Sequence, residues 1–537
     1  MANVTKPRLR VNTRGAVVGT YVEGELVRPS HQSGYMRGNA SPFFFDWNPA
    51  LRDQRDDVFV SYQQAAARAI DAIHNSGWIS GAVEQAVSAT VGAGGLRLAA
   101  RPNPQRLGWD AEKTNNWSEI VEGRWKEWSE RPFECDAAGK SSIAQQTENV
   151  LRAYFSHGEA LALLPFINRA GRRGTKVQLL PPHRLTQDTN LATRMFQGVS
   201  IDSYGMPVSY RIRNHKDDFF LASYSPWVDV RARDAAGRPQ VIHLFEGREG
   251  QMRGITPMAP ALQTVRQYDQ LSDATLQTAL IQAIFAATIT SEGPTQQVLE
   301  ALQSEEEQHT DAPSIGTLLG AQAAWYQNTK IDLGGASRIA HLFPGNKLEF
   351  LRSEQPNGTY EAFAKFLLRE IARALGLSFE TMTGDYTGAT YSSVRMATSE
   401  NWPIILRRRA NICGRFLQMI YEAWLEEEID SGLIPFDGGL MGFIANKPAA
   451  VIANWRGPAK PQADDLKTAK AHEVYKNLRL MSDERIADDL GYDIGDEYER
   501  MAREAALRKQ YGIPDPVPVQ DDPVANALLN DKQKEAA

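Results

Sequence analysis

The chain has 537 residues, 42% of them hydrophobic, with 59 basic and 65 acidic side chains for a formal charge of -6. That length supports about three or four domains with sizeable cores, and the near balance of charge excludes a protein that grips duplex nucleic acid over its whole surface. The two cysteines, Cys135 and Cys413, exclude a disulfide framework or a cysteine-rich zinc site and point to a reducing compartment.

Residues 1–50 are rich in Gly, Ser, Pro and Asn and read as an extended arm. Its opening stretch, MANVTKPRLRVNTRG, has basic residues with no apolar run behind them, so the expected setting is the cytosol rather than a secretory route. Apolar residues at helical spacing then predict two helices over Val58 to Val91, meeting near Gly77. The VGAGGLRL that follows has its glycines after a helix and no Lys-Ser or Lys-Thr, so it reads as a helix C-cap leading into a strand, not a phosphate loop. Another amphipathic helix spans Asn115 to Trp128. Strands are expected at Ala160 to Phe166, Lys176 to Leu180, Gly198 to Asp202 and Pro207 to Arg213, the last two joined as a hairpin by Ser-Tyr-Gly-Met. His157 and His183 flank this small α+β unit without ligand spacing and read as lone surface or core groups.

A strand at Val241 to Phe245 leads through EGREGQMRGITPMAP into a helix expected from Ala261 to Thr290, with Leu276, Leu280, Ile284 and Ala287 on one stripe. Its second half, Ala274 to Ser291, carries no charge, but two glutamines, four threonines and the following Glu292, Gly293 and Pro294 argue for burial against protein, so no membrane partner is expected. Residues 291–350 change character: SEEEQHTD is acidic and solvated, LGGAS is a turn, and Lys347 to Leu351 reads as a strand. A second helix, Tyr360 to Leu375, presents Phe363, Phe366, Leu367, Ile371 and Leu375 on one face and closes on Gly376. A third carries Val394, Ile405, Ile412, Phe416, Ile420 and Trp424, with Pro403 either starting a new segment or kinking it. Asp464 to Tyr511 reads as helical, with Ser482 as a cap, Gly491 as a stop, and Glu499/Arg503 and Glu504/Arg508 at supportive spacing. Beyond Gly512, prolines and polar residues suggest a flexible tail.

Between the second and third helices lies GDYTGATYSSVRMATSENW, polar and almost uncharged. An enzyme would have to use Ser392, Ser393, Asp385 and Arg395, yet there is no GxSxG elbow, Arg stands where an SxxK enzyme needs lysine, and no histidine lies within 40 residues of Ser392. Metal-ligand patterns and a Walker A sequence are missing as well. No catalytic residue, metal or cofactor is therefore expected. The local chemistry supports a plainer role, in which Thr390, Ser392 and Ser393 cap the third helix and Gly384 and Gly388 turn the backbone.

Three stretches, NSGWISGAVEQAVSATVGAGGLRL, HLFEGREGQMRGITPMAPAL and REIARALGLSFETMTGDYTGATYSSVR, make the chain resemble the lambda-like family of tailed-bacteriophage portal proteins, from about Asn48 to Gly512. The resemblance implies a mainly helical α+β portal fold that assembles as a ring, twelve copies around an axial channel at one capsid vertex. It divides the chain into an arm (1–50), a wing (51–257), a first stem helix (258–290), a clip (291–352), a second stem helix (353–378), a channel loop (379–392), a long wing helix and return (393–455), a helical crown (456–511) and a tail (512–537). Thr383, Gly384, Asp385, Tyr386, Thr387, Gly388, Thr390 and Tyr391 would then face DNA, with Asp385 repelling phosphate. Leu276, Leu280, Ile284, Phe363, Leu367 and Ile371 would pack the stem, and Arg395, Arg407, Arg408 and Arg409 would make subunit contacts or lie on a solvated face. The implied partners are further copies of the chain, double-stranded DNA held weakly and without sequence preference, the terminase large subunit, head-tail adaptor proteins, and capsid and scaffold proteins. The implied location is the virion, with the host cytoplasm during assembly. Another ring-forming connector or baseplate protein, or a hydrolase using Asp385 and Ser393, are the alternatives.

Overall fold

A computed structural model describes residues 8–11, 17–22, 25–27, 51–169, 174–213, 227–284, 288–291, 324, 330–332, 338–340, 346–349, 358–461, 465–492 and 494–514. The acidic run SEEEQHTD, the LGGAS turn, Leu351 and the tail from residue 515 lie outside the described residues. The chain divides into two units, Met1–Asp57 and Val58–Ala537. In the first, the strands β1 (Arg8–Val11), β2 (Val17–Val22) and β3 (Glu25–Val27) form an antiparallel meander.

The second unit is built on helices whose burial follows their apolar spacing. Helices α1 (Gln54–Asn75) and α2 (Gly77–Val91) meet at Ser76, and Gly92 ends α2 at φ 74° before β4 (Arg97–Ala100). Helix α3 (Ala111–Ser129) buries Trp117, Val121, Trp125 and Trp128, one residue per turn along a single face. Trp125 meets Tyr421 and Trp424 of a later helix and Trp128 meets Trp424, with Trp125 and Trp424 rings 5.2 Å apart in an edge-on arrangement, each such pair adding about 0.5–1.5 kcal/mol beyond area burial. Helix α4 (Ile143–His157) starts in a capping box of Ser142 and Gln145 and ends on Gly158 in the left-handed conformation.

Strands β5 (Glu159–Leu163), β6 (Gln178–Leu180) and a later β11 (Val241–Phe245) form an antiparallel sheet in the order β11-β5-β6. Between β6 and β11, a second sheet of β7 (Met195–Phe196), β8 (Val199–Ile201), β9 (Pro207–Arg213) and β10 (Trp227–Arg231) packs a satellite core around Val199, Tyr210 and Ile212. The predicted hairpin is β8-β9.

Helix α5 (Leu262–Ile284) stops earlier than the expected Thr290, because Thr288–Ser291 forms strand β12. Alternating β-branched residues there pair with a strand at Asn346–Glu349, and uncharged composition alone did not separate the two states. Strands β13 (Lys330–Asp332) and β14 (Arg338–Ala340) pair with each other, and β15 (Asn346–Glu349) is the partner of β12. The chain continues through α6 (Gly358–Leu375), α7 (Phe379–Thr383) and α8 (Tyr391–Arg408), which continues through Pro403 without a break in the helix. A π-turn at Arg409–Gly414 then shifts the register into α9 (Arg415–Asp430). Helix α10 (Gly439–Ala450) and β16 (Ala453–Arg456), paired with β4, precede α11 (Asp465–Asn477), α12 (Asp483–Leu490) and α13 (Ile494–Tyr511). Ser482 caps α12 and Gly491 ends it in the left-handed conformation.

Where these layers meet, Glu159 and Arg253 form an ion pair with both side chains at 0% exposure. Arg253 Nε donates to both Glu159 oxygens at 2.9 and 3.0 Å, while Tyr62 Oη (2.8 Å) and the Gly254 amide (2.8 Å) also donate to the carboxylate and His243 Nε2 lies 3.0 Å from it. The other guanidinium N–H groups reach the carbonyls of Pro182, Leu185, Thr186 and Gln197. Burial raises the Glu159 pKa, but the Arg253 charge and the hydrogen bonds from His243 and Arg253 outweigh it and hold the group well below the usual carboxylate range. The chain needs glycine on both sides of this site. A Cβ on Gly158, at φ 85°, would stand 1.9 Å from the Ile255 carbonyl carbon, and one on Gly254 would stand 2.1 Å from Gly158 O.

Removing one partner of a buried pair leaves an uncompensated charge and costs about 3–5 kcal/mol. Arg253→Met is therefore expected to lower the urea midpoint by that equivalent, and a change below about 1 kcal/mol contradicts the assignment. Because the native Glu159 pKa is depressed, its contribution is full above the unfolded carboxyl value of about 4.3 and fades as pH falls toward the native value. The stability gap between wild type and Glu159→Gln should narrow only below that pH.

Candidate functional site

The polar segment between α7 and α8 is held by its own hydroxyls. Ser378 caps α7, and Gly384, at φ 68°, ends it with its amide donating to Glu380 O at 2.8 Å. Thr383 Oγ1 donates to Phe379 O at 2.8 Å and accepts the Asp385 amide at 3.2 Å. Thr390 and Ser393 form a reciprocal capping box at the start of α8, with the Thr390 amide donating to Ser393 Oγ at 2.9 Å. Gly388 supplies the second left-handed residue, φ 77°. The hydroxyls of Thr383 and Thr390 thus serve the chain's own backbone, and Tyr386, 54% exposed, and Thr387 are the loop's outward polar side chains. The side chain of Tyr391 lies outside the described residues.

Asp385 is not a free negative charge. Lys365 Nζ, projecting from α6, lies 2.8 Å from Asp385 Oδ2 and 2.7 Å from Glu361 Oε1, while Asp385 Oδ1 accepts the Thr387 amide at 3.0 Å. The hydrogen bond from Lys365, followed by those from Thr387, holds the Asp385 carboxyl well below its ordinary range, and the two carboxylates raise the Lys365 pKa. The expectation that Asp385 repels phosphate as a free charge is corrected accordingly: Lys365 pairs with it, and because Glu361 shares the same ammonium the three groups together keep one negative charge. Spacing could have flagged Lys365 through Glu361 at i,i+4, but no local signal links it to a residue twenty positions later.

Nucleophilic catalysis needs Ser393 bonded to a base. Ser393 Oγ instead donates to Thr390 O at 2.8 Å, and Asp385 is engaged with Lys365 and Thr387. His157 and His183, read as lone residues, in fact stack with Nε2 and Nδ1 3.3 Å apart. Burial, with the His183 charge, pushes the His157 pKa down to about 4. Among the described residues, no group of three or more His, Cys, Asp or Glu could hold a metal ion, and no helix is long and apolar enough to cross a membrane.

The family model for phage portal proteins of the lambda family matches residues 42–409, which include α1 to α8. The chain belongs to the lambda family of phage portal proteins. The portal protein of Escherichia phage N15 is 28% identical over 477 residues, covering 88% of this chain and 89% of that one. Portal protein B of Escherichia phage lambda is 26% identical over 476 residues, 88% of each. Among solved structures, a chain from the neck of an empty GTA particle aligns over 83% of this chain and 95% of its own, with 15% identity and a TM-score of 0.44.

In this portal chain the residues expected to pack a stem divide between core and surface. Leu367 (6% exposed) and Ile371 (1%) are buried, Ile371 in the chain's main core, and Thr264 Oγ1 of α5 donates to Glu370 Oε1 of α6 at 3.1 Å. Leu276 (61%), Leu280 (55%) and Phe363 (53%) are exposed. The side chain of Ile284 lies outside the described residues. The four arginines divide too. Arg395 is exposed, and Arg407 is 3.3 Å from Glu246. Arg408 and Arg409 are buried, which corrects their placement on a solvated face or subunit contact. Arg408 Nη2 donates to Leu375 O at 2.7 Å, a cation on the C-terminus of α6, and its guanidinium lies 4.8 Å from the Phe155 ring. The π-turn beginning at residue 409 breaks the 3.6-residue periodicity on which an outward assignment rests.

Lys365→Met should leave α6 intact and loosen the loop. Faster amide hydrogen exchange at Thr387 and its neighbours is the expected result, and unchanged exchange would show that the pair does not position the loop.

Proposed function

We propose that this portal chain assembles as a ring, with twelve copies around an axial channel at one vertex of a phage head, and that genome DNA enters and leaves through that channel. The observation that carries the reading is the family match over residues 42–409, which spans both helices α5 and α6 and the loop that follows them. Exposed apolar side chains on the uncharged second half of α5, Leu276 and Leu280, support it, since a neighbouring copy would cover them. The loop at 383–391 is the proposed channel contact. With Asp385 paired to Lys365, Tyr386 and Thr387 offer exchangeable hydrogen bonds rather than the phosphate neutralisation that dominates nonspecific DNA affinity. A surface of that kind lets DNA slide.

In the same reading residues 291–352 form the clip that docks the terminase large subunit and head-tail adaptor proteins, residues 456–511 form the crown, and capsid and scaffold proteins meet the ring during assembly in the host cytoplasm. Wing, stem and tail keep the boundaries given by the resemblance, except that the stem helix ends at Ile284.

Negative-stain images of the purified chain should show end-on rings with a central hole; monomers or two-fold dimers would overturn the proposal. Leu280→Glu should abolish rings on size exclusion, because a buried unpaired carboxylate costs several kcal/mol in every subunit. Thr387→Lys is expected to keep rings but slow DNA filling of proheads, most strongly at low salt. Normal filling under those conditions removes the loop from the channel. Lysine at 385 is a poorer probe, since it also breaks the pair with Lys365.

A further inference from the structure

Beside the π-turn lies a cleft of about 840 Å³, bounded by that turn, the segment after β16 and helix α12. Six cationic side chains line it, Arg233, Arg409, Arg415, Arg456, Lys460 and Arg485, against the carboxylates of Asp488 and Asp489. Both carboxylates are already engaged, Asp488 by Arg456 at 2.9 Å and Asp489 by Arg485 at 3.6 Å. The remaining four cations have no carboxylate in an ion pair among the described residues. Arg233 donates to Gly237 O and Lys460 to Ser399 Oγ, both at 2.8 Å, and Arg415 is exposed.

Arg409 decides what the cleft lacks. It is 8% exposed, and its N–H groups reach neutral carbonyls: Nε to Thr90 O at 3.1 Å, and Nη2 to Pro458 O at 3.1 Å and Ala89 O at 3.5 Å. The Trp402 ring lies 5.3 Å from its Cζ. Carbonyls satisfy the donors but leave a full positive charge out of water with no counter-ion among the described residues, an unfavourable arrangement. Burial pushes the Arg409 pKa down, as that cost requires. The chain maintains the arrangement by leaving room for it, since a Cβ on Gly457 would stand 2.4 Å from Arg409 Cζ.

We infer that this cleft binds phosphate groups, carried either by a nucleic-acid backbone or by a free polyphosphate. Phosphates set one charge per unit along a chain, which matches four cations in one open cleft that have no carboxylate partner among the described residues, three of them arginines whose planar donors suit phosphate oxygens. An acidic peptide would bring carboxylates spaced along a backbone that has its own hydrogen bonds to satisfy. The inference needs neither the ring nor the channel loop, because every residue named belongs to one chain and lies outside the loop.

The test uses the full chain in its native oligomeric state, with calorimetric titration of tripolyphosphate and fluorescence anisotropy of a labelled short DNA duplex across salt concentrations. Arg415→Gln/Lys460→Gln changes two cleft cations without touching Arg409, and Arg106→Gln/Lys126→Gln removes two exposed cations elsewhere as a control for net charge. Tripolyphosphate affinity is expected to fall about tenfold or more in the cleft variant, for two lost charge-assisted contacts, and to hold in the control. If the duplex is a source, the cleft variant also lowers the slope of log affinity against log salt by about 1.8, roughly 0.9 per phosphate contact. Loss with tripolyphosphate alone assigns the site to a free polyphosphate. Equal losses in both variants, no tripolyphosphate binding to the unmodified chain, or binding of polyglutamate in place of phosphate would overturn the inference.

Discussion

A carboxylate and a guanidinium at zero exposure, Glu159 and Arg253, constrain the rest of the second unit. Two ions out of water persist only when every lone pair and N–H finds a partner. Here the partners come from α1 (Tyr62), β11 (His243), the Gly254 amide and the carbonyls between Pro182 and Gln197. Satisfying one pair therefore fixes the first helix, the central sheet, the satellite sheet and the segment that delivers the chain to α5. The close backbone approach of Gly158 and Gly254 is the steric counterpart of that requirement.

From that junction the polypeptide runs out along α5 and returns along α6, and the return is fixed by apolar contact rather than charge. Leu368, Ile371, Ala372 and Leu375 carry α6 into the main core, where Arg408 closes its C-terminus. The polar loop is consequently suspended between two anchored helices, and the Lys365–Asp385 pair ties it back to the first of them. A segment so held has few hydroxyls left over for a partner.

The distribution of counter-ions separates structural charge from available charge. Glu159 with Arg253 and Lys365 with Asp385 are closed pairs, complete within one chain. Arg409 is buried against carbonyls alone, beside a cleft in which cations outnumber carboxylates. A chain with a formal charge of -6 thus carries a cleft lined by more cations than carboxylates, which overall composition conceals.

Short-range rules made much of this protein legible before folding was considered. The meeting of α1 and α2, the glycine stop before β4, the strands at Pro207–Arg213 and Val241–Phe245, and the Ser482 and Thr390 caps each depend on residues within a few positions of one another. Their hydrogen bonds and φ angles are settled locally, so spacing and residue type determine them. The three family-bearing stretches were legible for the same reason. Tertiary structure alone decided the rest: the partnership of Glu159 with a residue 94 positions away, the pairing of β12 that shortened α5, the inward turn of Arg408 and Arg409, and the pairing of Asp385 with Lys365. Whether a charged side chain is solvated, paired or buried depends on which distant segments exclude water from it, and no periodicity in the chain encodes that.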